Sequence, residues 1–179
     1  GLGSGAGAAY VFKRNHGGAD AWGEVVKLLA SDGAAGDSFG EAVAISGDIL
    51  LAAAPYANNP EGAVYVFERN RGGPDAWGQV TRLSGIGSGY FFGVSVAIDG
   101  DTVVVGEDDQ ELAFYAGAAY VFERNQGGAD TWGEVAKLMA TEACDYNQMG
   151  TRVAIDRKAI EADSNRSKDQ GVVYLFDRK

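Results

Sequence analysis

Residues 62–83 read GAVYVFERNRGGPDAWGQVTRL, and this stretch decides the fold because the chain repeats it. Residues 7–28 read GAAYVFKRNHGGADAWGEVVKL and residues 117–138 read GAAYVFERNQGGADTWGEVAKL. A shortened copy, GVVYLFDRK, occupies residues 171–179. Tyr10, Tyr65 and Tyr120 stand 55 residues apart, as do Trp22, Trp77 and Trp132. A second string lies between the copies: FGEAVAISGDILLAAAP from Phe39, FGVSVAIDGDTVVVGE from Phe92, and the drifted MGTRVAIDRKAIEAD from Met149. A fixed period of this length is the mark of a repeat architecture, in which each unit is one supersecondary element.

Each unit reads as four short strands. EAVAIS comes first, with Val43 and Ile45 on one face and Ala42 and Ala44 on the other. DILLAAA follows through a Gly47-Asp48 hairpin turn, then AVYVFER, then WGQVTRL across the Arg-Gly-Gly region. Val, Tyr, Phe and Ile fill the apolar runs, and no run keeps a 3.6-residue period. The stretch ADAWGEVVKLLASDG, helical at first sight, is assigned to a strand by its place in the repeat. ILLAAA and TVVVG are apolar on both faces, as a sheet covered on both sides requires. The expectation is an all-β chain of β-propeller blades, each of four antiparallel strands, with about three and a quarter repeats; a stacked β-solenoid, whose coils are shorter, is the competing architecture. The blade boundaries fall at 7–38 for the last two strands of a first blade, 39–91 for a second, 92–148 for a third and 149–179 for an incomplete fourth. All belong to a single repeat domain, 1–179.

Composition narrows the function. The chain has 179 residues and a net charge of −10, which repels phosphate backbones and makes nucleic acid an unfavourable partner. No apolar run reaches the ~18 residues of a membrane-spanning helix. One cysteine, Cys144, excludes an internal disulfide and a Cys-rich zinc site; one histidine, His16, excludes a two-His metal motif. His16 sits where the other copies carry Arg71 and Gln126, so it reads as a surface substitution and not as a catalytic base. The Gly-rich SDGAAGDSFG segment with Asp32, Asp37 and Ser38, and the opening GLGSGAG, lack the lysine and following helix of a phosphate loop. No nucleophile–base pair emerges, so no catalytic residue is assigned and the chain reads as a non-enzyme.

The Phe-Gly of residues 39–40 and 92–93, followed by VAI, an apolar strand, the AAAP segment and GAVYVF, resembles the FG-GAP repeat, the unit of the propeller in integrin α-subunits and many bacterial surface or secreted proteins. The resemblance implies a propeller, an extracellular or cell-surface location, and adhesion or binding. Many FG-GAP blades carry a DxDxDG calcium loop between their first two strands. Here the equivalents are Ser46-Gly47-Asp48, Asp99-Gly100-Asp101 and Asp156-Arg157-Lys158, too poor in carboxylates for calcium's six to eight oxygen ligands. The third copy replaces Phe-Gly by Met149-Gly150, from which a distorted blade is expected.

Candidate sites follow. Glu107, Asp108, Asp109 and Glu111 are a candidate Ca²⁺ loop, against the plainer reading of a solvated acidic turn. No cofactor is otherwise required. Trp22, Trp77 and Trp132, beside Arg14, Arg69 and Arg124, are candidate glycan-stacking platforms, against the plainer reading of packing at the blade edge. Asn165-Arg166-Ser167 matches a glycosylation pattern. The chain starts and stops on a third strand, and an incomplete ring leaves open edges, to be completed by a longer parent propeller of which this is a fragment or by other chains. Tyr10 and Phe12 at one end and Tyr174 and Phe176 at the other are therefore candidate self-association residues, pairing with neighbouring chains into a homo-oligomer or filament. Two chains come close to the strand complement of a seven-bladed ring. The reading is an extracellular adhesion or self-assembly scaffold, with a carbohydrate-binding propeller and a propeller-based hydrolase or lyase as alternatives.

Overall fold

The computed structural model describes residues 3–58, 61–85, 90–108, 117–140, 149–157, 159–166 and 170–177. These residues form strands, turns and no helix. The strands are β1 (Ala9–Arg14), β2 (Trp22–Leu28), β3 (Val43–Ser46), β4 (Ile49–Ala54), β5 (Ala63–Arg69), β6 (Trp77–Leu83) and β7 (Phe92–Asp99). They continue with β8 (Thr102–Glu107), β9 (Ala118–Arg124), β10 (Trp132–Leu138), β11 (Met149–Ile155), β12 (Ala159–Arg166) and β13 (Gln170–Asp177).

Four antiparallel sheets result: β1-β2, β3-β4-β5-β6, β7-β8-β9-β10 and β11-β12-β13. Sequential hairpins build each one, and the sheets do not close into a ring. The β3–β4 and β7–β8 hairpins are two-residue turns. Each opens on a glycine in the left-handed region, Gly47 (φ 58°) and Gly100 (φ 57°), where a side chain would be strained.

Packing follows a two-sided rule. On β5 and β9, Tyr and Phe point to one face and the residues between them to the other. Leu50, Ala52, Tyr65 and Phe67 of one face of the β3–β6 sheet share a cluster with Ala9, Val11 and Leu28 of the preceding sheet. Leu51, Ala53, Val64 and Val66 of its other face share a cluster with Val103, Val105, Tyr120 and Phe122 of the following one. The Val104, Ala119 and Val121 face of the β7–β10 sheet packs against Met149, Ile160 and Ala162 in the same way. The β3–β6 and β7–β10 sheets therefore each present a Tyr/Phe face backwards and a Val/Ala face forwards.

The Phe-Gly pair joins the sheets. Phe39 and Phe92 are buried, each edge-on to the aromatic pair of its own sheet: Phe39 to Tyr65 (5.4 Å) and Phe67 (6.0 Å), Phe92 to Tyr120 (5.3 Å) and Phe122 (6.0 Å). Their backbones reach the preceding sheet. The Phe39 N–H donates to the Ala6 carbonyl (2.9 Å), and Gly7, Gly62 and Gly117 form parallel bridges to Phe39, Phe92 and Met149. Gly62 (φ 83°) has no room for a Cβ, which would overlap the Phe92 carbonyl. This is why glycine opens each GAxYVF copy.

The drifted unit corrects one expectation. Met149 is fully buried and makes the same parallel bridge as the two phenylalanines. The β11–β12 ladder skips residues between Met149 and Arg152, as β7–β8 does between Phe92 and Ser95. A flexible thioether fills the aromatic site without disturbing the ladder, so the blade is not distorted there.

Candidate functional site

The hairpin between the third and fourth strands recurs as one device. Asn15, Asn70 and Asn125 sit at φ 62°, 68° and 66°. Their side-chain oxygens accept hydrogen bonds from the backbone N–H groups of Asp20 (2.8 Å), Asp75 (2.9 Å) and Asp130 (3.0 Å). Asn tolerates the left-handed region and mimics a backbone turn with its side chain, which explains Arg-Asn before Gly-Gly in the three full copies.

Arg14, Arg69 and Arg124 lie directly across the ladder from Trp22, Trp77 and Trp132. Their guanidinium groups are engaged. Arg14 pairs with Asp20 (2.6 Å), and Arg69 pairs with Asp48 and lies 3.7 Å from Asp75. Arg124 pairs with Asp130 (2.9 Å) in its own sheet and with Glu68 (2.8 Å) of the preceding one. Glu68 is buried and also takes Arg71 at 3.0 Å, so this cross-sheet latch is more desolvated than an ordinary surface pair. At the first junction the charges are exchanged, with Lys13 lying 3.7 Å from Asp75 of the next sheet. The carboxylate partners were missed in the sequence, although Asp recurs two residues before each Trp.

The tryptophans divide by position. Trp77 and Trp132 are half-buried and pack against the clusters between successive sheets. Trp22 is 68% exposed. Tyr10 and Phe12 show the same contrast at 48% and 53%, whereas Tyr65 and Tyr120 are 1% and 0% exposed. Trp22, Tyr10 and Phe12 thus form one open aromatic face at the β1-β2 end, on the side that is covered in every later sheet. Beside it, Val43 and Ile45 of β3 are also exposed. They line a groove of about 480 Å³ with Tyr10, Phe12 and Leu50. At the opposite end Val173 and Leu175 of β13 are open. Tyr174 lies on the same strand, and Phe176 is half-buried against the β11–β13 cluster, so Phe176 is not on the open face. The residues exposed there are Val173 and Leu175, whose side chains alternate with Phe176 on the pleat.

The acidic stretch is not a wholly solvated turn. Glu107 ends β8, is buried and accepts a hydrogen bond from the Tyr120 hydroxyl (2.7 Å), and Asp108 is buried beside it. Asp109 and Glu111 lie outside the described residues, as do Cys144 and Ser167; Asn165 lies on β12. Among the described residues no three His, Cys, Asp or Glu side chains come together as a metal site. His16 is exposed. Asp37 is buried and accepts the Ala34 N–H (2.7 Å), holding the inter-sheet loop instead of a ligand. Burial and the hydrogen bond to Asp32 push the Tyr65 hydroxyl up to about 12.

Hairpin-built sheets stacked face to face, each buckled to the next by an aromatic-glycine pair, define an incomplete propeller of repeated blades. The FG-GAP repeat model matches residues 22–67 and 77–122, and the chain belongs to that family. Each match runs from the fourth strand of one sheet to the third of the next, so the sequence repeat is offset from the blade. No curated protein matched the chain. Among the described residues, no helix is long and apolar enough to cross a membrane.

Proposed function

We propose that the chain is a non-catalytic, extracellular FG-GAP scaffold of the adhesion type that self-associates through its open blade ends. The observation that carries this reading is the contrast between repeat-equivalent residues. Tyr10 and Phe12 are half open while their counterparts in the next two sheets are buried. Open aromatic surface beside a free strand edge is a strong driver of association. Among the described residues the β1 strand pairs with β2 alone, so its other edge offers backbone donors and acceptors for strand addition. Family membership supports a binding role and a surface location. Ca²⁺ is not assigned a place in this reading. A glycan or a surface protein as ligand has weaker support, because Trp77 and Trp132 are committed to packing between sheets.

Light scattering across a wide concentration range, with and without a calcium chelator, tests the proposal. The expected result is a mass above the 18.7 kDa monomer that grows with concentration. A single monomeric mass at every concentration overturns it.

A further inference from the structure

We infer that self-association is head to tail: the Val173/Leu175 face of β13 in one copy stacks on the Trp22/Tyr10/Phe12 face of the next. This inference rests on the self-association reading and adds the polarity and the partner surface. Its template is inside the chain. Register places Phe176 of β13 where Phe67 stands on β5, opposite Ile160 and Leu50 respectively. Leu175 and Val173 therefore hold the positions of Val66 and Val64. Val64 and Val66 are fully buried against Tyr120 and Phe122 of the following sheet. Tyr10 and Phe12 are the repeat equivalents of Tyr120 and Phe122. The two open ends are thus the two halves of an interface the molecule already makes between its own sheets.

Charge agrees with this docking. Within the chain, Arg124 holds Asp130 of its own sheet and Glu68 of the sheet before it. Arg14, the equivalent of Arg124, has the in-sheet half of this arrangement with Asp20, its only ion pair among the described residues. The position equivalent to Glu68 on β13 is Asp177, opposite Ala159 as Glu68 is opposite Ile49. Head-to-tail stacking brings this acidic position to Arg14, whereas head-to-head stacking sets Arg14 against Arg14. A head-to-tail contact is heterologous, so it makes a ring where the rotation closes and a filament where it does not.

The test uses the full chain with reversed charges. Arg14→Asp and Asp177→Arg are each expected to weaken self-association roughly tenfold or more, since a like-charge pair replaces an opposite one. An equimolar mixture of the two variants, and the double variant, are expected to regain the wild-type mass by light scattering. Leu175→Arg adds an independent reading: Leu175 is 71% exposed in the single chain, so the sheet tolerates the change, and the expected result is loss of assembly. Wild-type mass in all three single variants overturns the head-to-tail geometry while leaving self-association standing. Loss with Arg14→Asp but not with Asp177→Arg or Leu175→Arg points to head-to-head contact and also overturns it. A wild-type chain that is monomeric throughout removes both readings, and the open faces then have a different occupant.

Discussion

Phe92 touches both aromatic rings of its own sheet and is hydrogen-bonded through its backbone N–H to the Glu61 carbonyl of the preceding one (3.2 Å). Removing its ring opens a cavity at a junction that the rest of the sheet cannot collapse to fill. Phe92→Ala is expected to cost about 3–5 kcal/mol in chemical denaturation. Phe92→Met is expected to cost under about 1.5 kcal/mol, because Met149 already serves at the equivalent site. Equal losses for the two variants would show that the ring's volume is not what matters. Tyr65 supports a second prediction. Its hydroxyl titrates near 12 when folded, against an ordinary value of 10.0. As pH rises above 10 the unfolded chain ionises this group while the folded chain resists. The stability tied to Tyr65 is therefore fully present below about pH 10 and lost as pH approaches 12. Tyr65→Phe removes that loss. Thermal melts from pH 8 to 11.5 should show wild type more stable at the low end by about 1 kcal/mol, with the gap closing as pH rises. A gap that stays constant would assign the alkaline loss to other groups.

At the scale of the element, the strands were legible because the 55-residue recurrence of Tyr and Trp places every apolar run in a register that one unit alone would leave ambiguous. The recurrence turned ADAWGEVVKL from a plausible helix into β2. What the strings did not reveal is where the ladder slips. Val11 pairs with Val26 but Phe12 with Glu24, so Val25 is an extra residue on the fourth strand, as Val80 and Val135 are in their copies. A bulge of this kind depends on local backbone twist and leaves no unmistakable residue behind. The tryptophans were readable as packing residues, yet their unequal exposure was not, because it depends on which neighbouring sheet is present. The Arg-Asn turns were legible as turns through their Gly-Gly pairs. Their ionic partners came from other strands and other sheets, as with Glu68 and Arg124, and no local spacing pattern announces such a pair. The setting of Glu107 was hidden for the same reason: its carboxylate is drawn inward by the hydroxyl of Tyr120, thirteen residues away in sequence.

For the whole molecule, nearest-neighbour stacking implies a gradient of stability along the chain. In a repeat array each unit is held by its own folding and by the interfaces on its two sides. The β3–β6 and β7–β10 sheets each have two such interfaces, with Leu51, Val64, Val66, Val103, Val104 and Val105 fully buried. The β1-β2 pair has a single face covered, and so does the β11–β13 sheet. Amide hydrogen exchange should therefore protect β4, β5, β8 and β9 most strongly, with β1, β2 and β13 opening first and at much lower free energy. Raising the protein concentration into the range where association occurs should selectively increase protection in β1 and β13, since a docked neighbour supplies the missing interface to both ends at once. Protection that rises only at the β1 end would indicate head-to-head contact. Uniform protection across all strands would mean that the ends are already as stable as the centre, and that the open aromatic face needs no neighbour.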